Sequence, residues 1–292
     1  MRKLLVTGVS GFLGWHVANF RQRTWKIVGV FNNTAYSSGR HLSYCVDFDQ
    51  TNQLYDLLRE VKPDGIMHLA AVSSPKACEE HISQSYRTNV VIPALLAEYA
   101  FERSIPLVFS STDMVFSGHS GPYGPYDYTN PINVYGKQKA EAEERILDIY
   151  REATIARLPL LYGMAPYGTN FLSSWLETWT YGKTLHAFAD EIRSVISGTD
   201  AARGLFLLLN KRLQHIWHLG GKEAVSRLDF ARMLADSFGF DESLVVPSSI
   251  TEAGLAGKRP ADLTLDSQMT YEHGFDPLPV RKSLKSLQKI AF

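Results

Sequence analysis

Short apolar runs alternate with longer amphipathic segments in the first half of the chain, and this alternation restricts the possible folds more than any other feature. The apolar runs read KLLVTG, KIVGVF, DGIMHLAA, PLVFSS and TIARLP. Between them lie candidate helices near residues 12–23, 51–60, 84–103 and 135–151. Each is long enough to cross one face of a sheet, as parallel strands require. The pattern therefore predicts an α/β fold built on a doubly wound parallel sheet.

The alternation of apolar runs and helical segments becomes less regular after about residue 158. Helices are predicted near 170–181, 200–210 and 227–238, with short strands near 184–188 and 215–219. Ser226 is the predicted N-cap of the third of these helices, and Gly239 its end. Because no linker is evident, we predict that residues 159–292 form a smaller α/β domain packed on residues 1–158, with some interleaving of the chain.

Composition argues against several classes of partner. The 30 basic and 30 acidic residues balance, so neither nucleic acid nor an acidic lipid surface is expected to bind. No apolar run of 18 residues predicts a membrane span, and we interpret the glycine-interrupted start as a strand and not a signal peptide. Two cysteines, Cys45 and Cys78, argue against a disulfide framework and favour the cytoplasm.

Three glycines, Gly8, Gly11 and Gly14, follow the first predicted strand and open a helix. The spacing is G-x-x-G-x-x-G, where the commoner dinucleotide fingerprint is G-x-G-x-x-G. Missing side chains permit a tight turn, close approach of a pyrophosphate and close packing of the helix, whose N-terminus offers free N–H groups. An ordinary glycine-rich turn is the alternative, but the strand before and the helix after favour a dinucleotide site.

The second predicted strand ends without an acidic residue. Phe31, Asn32 and Asn33 carry no negative charge that would repel a 2′-phosphate, so the sequence favours NADP(H) over NAD(H). Arg40, in the next loop, is a possible contact for that phosphate. Asp47 follows the third strand and could either accept a hydrogen bond from the adenine amino group or cap a turn.

Tyr135 is followed four positions later by Lys139, which places both on one helix face. An ammonium beneath the phenol would lower the tyrosine pKa from about 10 and make it a proton donor and acceptor. Ser110 and Thr112 end the strand PLVFSS at the carboxyl edge, where open α/β sheets bind ligands. A hydroxyl there could hold a substrate carbonyl beside the phenol, although strand-end hydroxyls also bond to the backbone.

Several motifs resemble those of one family, the extended short-chain dehydrogenase/reductases. The motifs are TGVSGFLG, HLAA, SSTDMVFSG and YGKQK, and they are most similar to the dTDP-4-dehydrorhamnose reductase-like branch, which also includes the regulatory subunit of methionine adenosyltransferase. The segments YRTNVV, GTNFL and RPADLTLD follow in the expected order, so the resemblance covers nearly the whole chain. It implies an NAD(P)-binding Rossmann domain at residues 1–158 and a substrate-binding domain at 159–292.

The resemblance also implies an activity and a set of site residues. A keto group on a nucleotide-linked sugar would be reduced, with Tyr135 giving the proton, Lys139 tuning the pKa of Tyr135 and Thr112 orienting the substrate oxygen. Cofactor contacts are implied for Gly8, Gly11, Phe12, Leu13, Gly14, Asn32, Asp47, Leu69, Ala70, Ala71, Ser110, Tyr135 and Lys139. Substrate contacts are implied for Asp113, Met114, Asn170, Phe171 and Arg259, and no metal is implied.

The chain departs from the family at three positions. Met114 replaces the Glu of the sugar dehydratases, which disfavours dehydration, and it also replaces a Tyr of the rhamnose branch. Leu160 and Pro125 stand where that branch has Trp and Glu. If all three meet the sugar, a substrate other than the dTDP-linked keto sugar becomes plausible.

Alternatives remain open from the sequence. An epimerase would use the same cofactor transiently, and a non-catalytic NADP-binding regulatory subunit would not need Thr112, Tyr135 and Lys139 together. Asp190, Arg193 and Arg259 could face a substrate or form structural ion pairs. A small-molecule substrate is the expected partner, and a homodimer is compatible with the resemblance.

Overall fold

The computed structural model describes residues 1–32, 36, 39, 41–166 and 170–291. The predicted contacts Asn33 and Arg40 lie outside the described residues. The strands are β1 (Arg2–Thr7), β2 (Trp25–Phe31), β3 (Leu42–Cys45), β4 (Gly65–His68), β5 (Leu107–Thr112), β6 (Thr154–Leu158), β7 (Leu161–Tyr162), β8 (Leu185–Phe188), β9 (Ile192–Arg193), β10 (Ile196–Ser197), β11 (His215–His218), β12 (Val225–Ser226) and β13 (Val245–Ser248).

The α-helices are α1 (Phe12–Asn19), α2 (Thr51–Val61), α3 (Pro75–Glu80), α4 (Ile82–Tyr86), α5 (Ile92–Arg103), α6 (Val134–Ile149), α7 (Phe171–Thr180), α8 (Gly198–Lys211), α9 (Arg227–Phe238), α10 (Gln268–Glu272) and α11 (Val280–Ala291). A π-helical segment, Arg87–Val91, joins α4 to α5, and 3₁₀ turns span Asp113–Val115 and Glu242–Leu244. None of the helices in the described part of the chain is long and apolar enough to span a membrane.

Seven strands form one parallel sheet in the order β11-β6-β5-β4-β1-β2-β3. The strand order reverses between β1 and β4, which opens a crevice at the carboxyl edge of the sheet. The predicted doubly wound parallel sheet is confirmed. Strand β1 is continuously apolar and buried at Leu4, Leu5 and Val6, because helices cover both faces of the sheet.

Each face of the sheet has its own apolar core. Side chains of α1 and α8 pack on one face, and those of α2, α5 and α6 pack on the other. A third core is formed by α7, α9 and α11 with residues of the short strands β8, β12 and β13. The predicted helix cap is confirmed: the Ser226 hydroxyl accepts a hydrogen bond from Asp229 N at 2.9 Å, and Gly239 ends α9 at φ +75°.

The chain crosses more than once between the two parts. After β6 it leaves the large sheet, but α8 then packs on α1, and β11 pairs with β6 as the edge strand. Residue 158 is therefore not a clean domain boundary, because α8 and β11 follow it in the chain and still belong to the first part of the structure. The crossing places segments from both parts around the crevice at the carboxyl edge.

The helix predicted over 84–103 is interrupted by the π-helical segment. Within it, the Asn89 side chain accepts a hydrogen bond from Val72 N at 2.9 Å and donates to Gln138 Oε1 at 2.8 Å. Asn89 thereby ties the segment after β4 to α6, and π-bulges occur often at functional sites. Periodicity alone does not reveal such an insertion.

Candidate active site

A cavity of about 880 Å³ opens at the carboxyl edge of the sheet and extends towards the C-terminal part. The catalytic, cofactor and substrate contacts implied by the family resemblance all line it, with the exception of Asp47. The predicted residues that line it are Gly8, Gly11, Phe12, Leu13, Gly14, Asn32, Leu69, Ala70, Ala71, Ser110, Thr112, Asp113, Met114, Tyr135, Lys139, Asn170, Phe171 and Arg259. The structure therefore brings residues separated by some 250 positions of sequence to one site.

The three glycines form one end of the cavity. Gly8 has φ +75°, and a Cβ on Gly14 would lie 1.9 Å from the Gly8 carbonyl oxygen, so α1 can start here only without side chains at these positions. The N–H groups of Phe12, Leu13 and Gly14 form no hydrogen bond within the described part of the chain. Gly11 caps α1 without a side-chain bond, so these donors remain available to a phosphate.

Thr7 fixes the HLAA segment beside this cradle. Its hydroxyl accepts hydrogen bonds from the N–H groups of Leu69 and Ala70, and it lies 2.7 Å from His68 Nδ1. The hydroxyl proton therefore points to His68. Burial and the charge of Lys139 lower the pKa of His68 to about 3, so this histidine is neutral and accepts that proton.

The end of β2 contributes Phe31 and Asn32 to the cavity wall. Asp47 does not line the cavity: its carboxylate accepts a hydrogen bond from Asp49 N at 2.9 Å and one from Gln50 Nε2 at 3.4 Å. It closes the turn before α2, and the N-cap of that helix is Gln50, so the contact of Asp47 with an adenine amino group stays a prediction.

Thr112 and Asp113 lie where β5 passes into a 3₁₀ turn, and both are buried. The Thr112 hydroxyl donates to Asp113 Oδ1 at 3.1 Å and accepts from Met114 N at 3.2 Å. Burial raises the pKa of Asp113 to about 6, while the charge of Arg193 acts in the opposite direction. Asp113 therefore carries a negative charge at neutral pH.

Helix α6 is placed by its first residues. Asn133 caps it by accepting a hydrogen bond from Gly136 N at 2.7 Å. A Cβ on Gly136 would lie 2.1 Å from the Met114 carbonyl oxygen, so glycine allows α6 to touch the turn after β5. Tyr135 is thereby held beside Thr112 in the cavity wall.

The sequence-based prediction for the tyrosine pKa is wrong. Burial raises the pKa of Tyr135 well above its ordinary range, and the negative charge of Asp113 raises it further. Thr112 acts in the opposite direction, and Lys139 is not among the groups that shift this pKa. The phenol therefore holds its proton firmly.

Lys139 is buried on the same face of α6, one turn after Tyr135. Its Nζ lies 3.8 Å from the centroid of the Phe109 ring, an arrangement that stabilises a cation by the ring quadrupole. Burial lowers the pKa of Lys139 to about 7, and the charge of Glu143 opposes this. Burial therefore makes the ammonium of Lys139 easier to deprotonate than that of an exposed lysine.

Glu143 belongs to a buried ion pair that the sequence analysis missed. Its carboxylate accepts bonds from Arg157 Nε at 3.0 and 3.1 Å and from Arg157 Nη2 at 2.7 Å. Arg157 Nη1 also donates to the Pro125 carbonyl oxygen at 3.3 Å. Two signals point to the pair: Glu143 continues the four-residue spacing of Tyr135 and Lys139, and Arg157 interrupts an apolar strand.

The remaining cavity wall includes apolar groups at two of the three positions where the chain departs from the family. Met114 and Leu160 line the cavity, as expected. Pro125 is not part of the lining, so the expectation that it meets the sugar is not met, and its carbonyl oxygen bonds to Arg157 instead. Asn170 caps α7 by accepting from Leu172 N at 2.9 Å, which sets Phe171 at the wall.

A cluster of charged side chains forms another part of the cavity wall. Arg193 lies 3.8 Å from Asp113 Oδ2 and 3.3 Å from Glu191 Oε1, and Arg259 pairs with Glu191 Oε2. Arg193 and Arg259 thus combine the two roles left open by the sequence, since both line the cavity and form ion pairs. Asp190 accepts from Ile250 N at 2.9 Å and is not part of the lining. Arg227, which also lines the cavity, was not anticipated from the sequence.

The two histidines of β11, His215 and His218, lie in different surroundings. His215 is exposed, while His218 is buried with Nδ1 3.1 Å from the Asp266 carbonyl oxygen. Across residues 1–32, 36, 39, 41–166 and 170–291, no group of three or more His, Cys, Asp or Glu side chains is placed to hold a metal ion.

Known proteins resemble this chain in sequence and in fold. The family model described as RmlD substrate binding domain matches residues 1–291. A dTDP-4-dehydrorhamnose reductase from Aggregatibacter actinomycetemcomitans is 29% identical, with 100% of both chains covered. The methionine adenosyltransferase 2 subunit beta of Danio rerio is 28% identical over 91% of this chain and 83% of its own. The crystal structure of dTDP-4-dehydrorhamnose reductase from Bacillus anthracis in complex with NADP superposes with a TM-score of 0.87, at 21% identity and with 100% of both chains covered.

Proposed function

We propose, from the premise that this chain belongs to the RmlD substrate binding domain family, that it is a nicotinamide-dependent reductase of a keto group on a nucleotide-linked sugar. The relative from Aggregatibacter actinomycetemcomitans supports the reaction class. One observation carries the proposal: Thr112, Tyr135 and Lys139 line the same cavity as the glycine cradle. A non-catalytic binding site has no chemical need for that combination.

The cradle residues fit a dinucleotide. A pyrophosphate can approach the backbone closely, because Gly8 and Gly14 carry no Cβ atom. It can also accept hydrogen bonds from the unpartnered N–H groups at the start of α1. When bound, a reduced nicotinamide would supply the hydride. We infer a preference for NADP(H), because Asn32 at the cavity wall puts no negative charge beside a 2′-phosphate.

Tyr135 would supply the proton. The phenol is protonated at neutral pH and can donate to an oxygen on which negative charge develops, and its raised pKa makes it a weaker acid than an ordinary tyrosine. The charge of Asp113 opposes ionisation of the phenol before substrate arrives.

Thr112 and Lys139 would place and support the reacting groups. To contact a substrate oxygen, the Thr112 hydroxyl must turn its proton away from Asp113 Oδ1, which is 3.1 Å away. The ammonium form of Lys139 would stabilise negative charge forming near it, because the surroundings exclude water.

The part of the cavity wall formed by Met114 and Leu160 favours a sugar with an apolar edge. Met114 and Leu160 offer a thioether and an alkyl group, which cannot satisfy a sugar hydroxyl. We therefore expect a deoxygenated carbon of the sugar to face these two side chains.

A second candidate is a cofactor-binding subunit of another enzyme. It is favoured by the similarity to methionine adenosyltransferase 2 subunit beta of Danio rerio, which is 28% identical to this chain, whereas the reductase from Aggregatibacter actinomycetemcomitans is 29% identical. An epimerase is a third reading, in which the cofactor is regenerated within each turnover.

One assay separates the three functions. Purified protein is mixed with NADPH and a panel of nucleotide-linked keto sugars, and cofactor oxidation and product are measured together. A reductase oxidises one NADPH for each product formed, whereas an epimerase converts the sugar without net oxidation. Absence of both reactions across the panel, with NADPH bound, would favour the subunit.

We also propose a cytoplasmic location. Both cysteines are free, with Cys45 exposed and Cys78 buried, as expected in a reducing compartment. A homodimer is the oligomeric state to test, and light scattering of the purified chain measures it directly.

A further inference from the structure

A buried network of uncharged polar side chains joins two segments of the cavity wall, and none of its members takes part in the proposed reaction. Ser85, Asn89 and Gln138 are 0%, 1% and 4% exposed, and none of them lines the cavity. A buried amide is costly unless its donors and its acceptor are satisfied, and a satisfied network specifies one arrangement of the segments that carry it. The network therefore identifies parts of the structure that are held at a fixed separation.

Gln138 belongs to the face of α6 that carries Tyr135 and Lys139. It lies between them in the sequence, and all three side chains are buried. Its Oε1 accepts a hydrogen bond from Asn89 Nδ2 at 2.8 Å, and its Nε2 donates to Ser85 Oγ at 2.9 Å. Gln138 thus bonds α6 to the π-helical segment through Asn89 and to α4 through Ser85.

Asn89 extends this link to the segment after β4. Its Oδ1 accepts a hydrogen bond from Val72 N at 2.9 Å, and its Nδ2 also donates to Val72 O at 3.1 Å. The Cys78 thiol donates to the same carbonyl oxygen at 3.1 Å. Val72 lines the cavity directly after Ala70 and Ala71, so the backbone of one cavity-lining residue is held at both polar groups by the side chain of Asn89.

The docking of α6 sets the distance between two groups of residues that the proposed reaction uses together. Val72 continues the segment for which cofactor contacts are implied, whereas Tyr135 and Lys139 are carried by α6. Gly136 places α6 against the turn after β5, and Gln138 places it against α4 and the π-helical segment. A misplacement of about 1 Å between reacting groups can cost about 10²-fold in rate.

We propose that Gln138 is a positioning residue, which through Asn89 holds Tyr135 and Lys139 at a fixed separation from the cavity wall at Val72. The reaction that is positioned rests on the proposed function, whereas the link from Gln138 to Val72 rests only on the distances above. Gln138 does not line the cavity, so its effect passes through the placement of α6. If it only filled space, an apolar side chain of the same length would replace it without loss.

Three substitutions of Gln138 separate hydrogen bonding from packing. Gln138→Met keeps the length of the side chain and removes its hydrogen bonds to Asn89 and Ser85. Gln138→Ser is too short to reach Asn89, and it leaves room for water if the Met variant does not fold. Gln138→Glu keeps an oxygen that can accept from Asn89. Lys137→Met is the control, since Lys137 precedes Gln138 on α6, is exposed and does not line the cavity.

Hydrogen exchange measures the link without turnover. Peptides that cover residues 69–74 and 51–61 of the NADP-saturated protein are followed by mass spectrometry in deuterated water. Exchange of residues 69–74 should become about three- to tenfold faster in Gln138→Met and Gln138→Ser, because loss of one hydrogen bond frees the Asn89 side chain that holds Val72 N–H. Residues 51–61 are the internal reference and should exchange at the parent rate, as should both segments in Gln138→Glu and Lys137→Met.

Single-turnover kinetics measure the effect on the reaction. With protein in excess over NADPH and a saturating keto sugar, the rate constant of NADPH oxidation does not depend on the folded fraction. It should fall at least about tenfold in Gln138→Met and Gln138→Ser, while NADPH affinity stays within about threefold. A role in stability alone would lower the amount of folded protein and leave this rate constant unchanged. Gln138→Glu should retain most of the rate, and Lys137→Met all of it.

Three results would overturn the inference. Exchange of residues 69–74 at the parent rate in both Gln138→Met and Gln138→Ser would show that Gln138 does not hold Val72. A parent-like rate constant in those variants would remove the positioning role, and an equal loss in Gln138→Glu would show that the bond to Asn89 is not its cause. A parent protein that oxidises NADPH with none of the keto sugars would contradict the proposed function as well, whereas a failure confined to the Gln138 variants contradicts this inference alone.

Discussion

The Nζ atom of Lys139 lies 3.8 Å from the centroid of the Phe109 ring, one helical turn after Tyr135 on α6. The lysine is buried, its pKa is lowered to about 7 by that burial, and the charge of Glu143 opposes the change. The charge state of the site at neutral pH therefore depends on a carboxylate that does not line the cavity.

Replacing Glu143 by Gln should move the alkaline limb of the pH–rate profile to lower pH. The Glu143 charge raises the pKa of Lys139, so its removal lowers that pKa and the ammonium loses its proton at a lower pH. Turnover that needs the ammonium then declines earlier as pH rises. The measurement is the pH dependence of kcat/KM for NADPH oxidation, normalised to folded protein.

Glu141→Gln is the matched control, since Glu141 lies on the same helix and pairs with Arg145 at the surface. Its profile should match that of the parent protein. Glu143→Gln should also cost about 3–5 kcal/mol in urea unfolding, because it leaves Arg157 buried without its carboxylate. A limb that stays in place or moves to higher pH would contradict the assigned role of Glu143.

Tyr135→Phe should reduce kcat about 10²–10⁴-fold, the usual contribution of a positioned proton donor. NADPH affinity should remain within a few-fold, because the ring and its packing are kept. Tyr126 is exposed in the loop before α6, so Tyr126→Phe serves as the control and should change neither kcat nor NADPH affinity. Retained turnover in Tyr135→Phe would remove the phenol from the mechanism.

Gly136→Ala should separate Tyr135 from Thr112. The new Cβ would lie 2.1 Å from the Met114 carbonyl oxygen, so α6 must move away from the turn after β5. We expect a loss of about 1–3 kcal/mol in stability and a larger proportional loss in kcat than in NADPH affinity. Gly124→Ala, whose added Cβ would meet no described atom closer than 3.7 Å, should change neither. Wild-type stability and kcat in Gly136→Ala would show that the close approach is unimportant.

Asn32→Asp should reverse the cofactor preference. A carboxylate at the end of β2 would repel a 2′-phosphate and could accept bonds from the ribose hydroxyls of NADH. We expect NADPH affinity to fall at least about tenfold while NADH affinity is kept or improved. Fluorescence titration with both cofactors measures this, and tighter binding of NADH than NADPH by the parent protein would refute the argument from Asn32.

The fold and the cradle follow closely from sequence because both depend on local patterns. Continuous apolar strands, helix-length crossovers and the spacing of Gly8, Gly11 and Gly14 reflect requirements that adjacent residues impose on one another. The cap at Ser226 is of the same kind, since a short polar side chain accepts a bond three residues later.

The electrostatics of the site could not be predicted in this way. The pKa of Tyr135 depends on burial and on the distance to Asp113, which is set by the contact of Gly136 with the Met114 carbonyl. The position of Arg227 between Phe171 and Trp175 depends on how α7 packs against α9. Both are tertiary relationships between segments that are distant in sequence.

Isotope transfer tests the central claim most directly. NADPH carrying deuterium at C4 of the nicotinamide is incubated with the protein and the keto sugar that it reduces most rapidly, and the product is analysed by NMR and mass spectrometry. If a cofactor in the glycine cradle reaches the carbonyl beside Tyr135, one deuterium appears on the former carbonyl carbon of each product molecule. Product that contains only solvent hydrogen at that carbon, or NADPH that stays unoxidised with every keto sugar offered, would contradict the account.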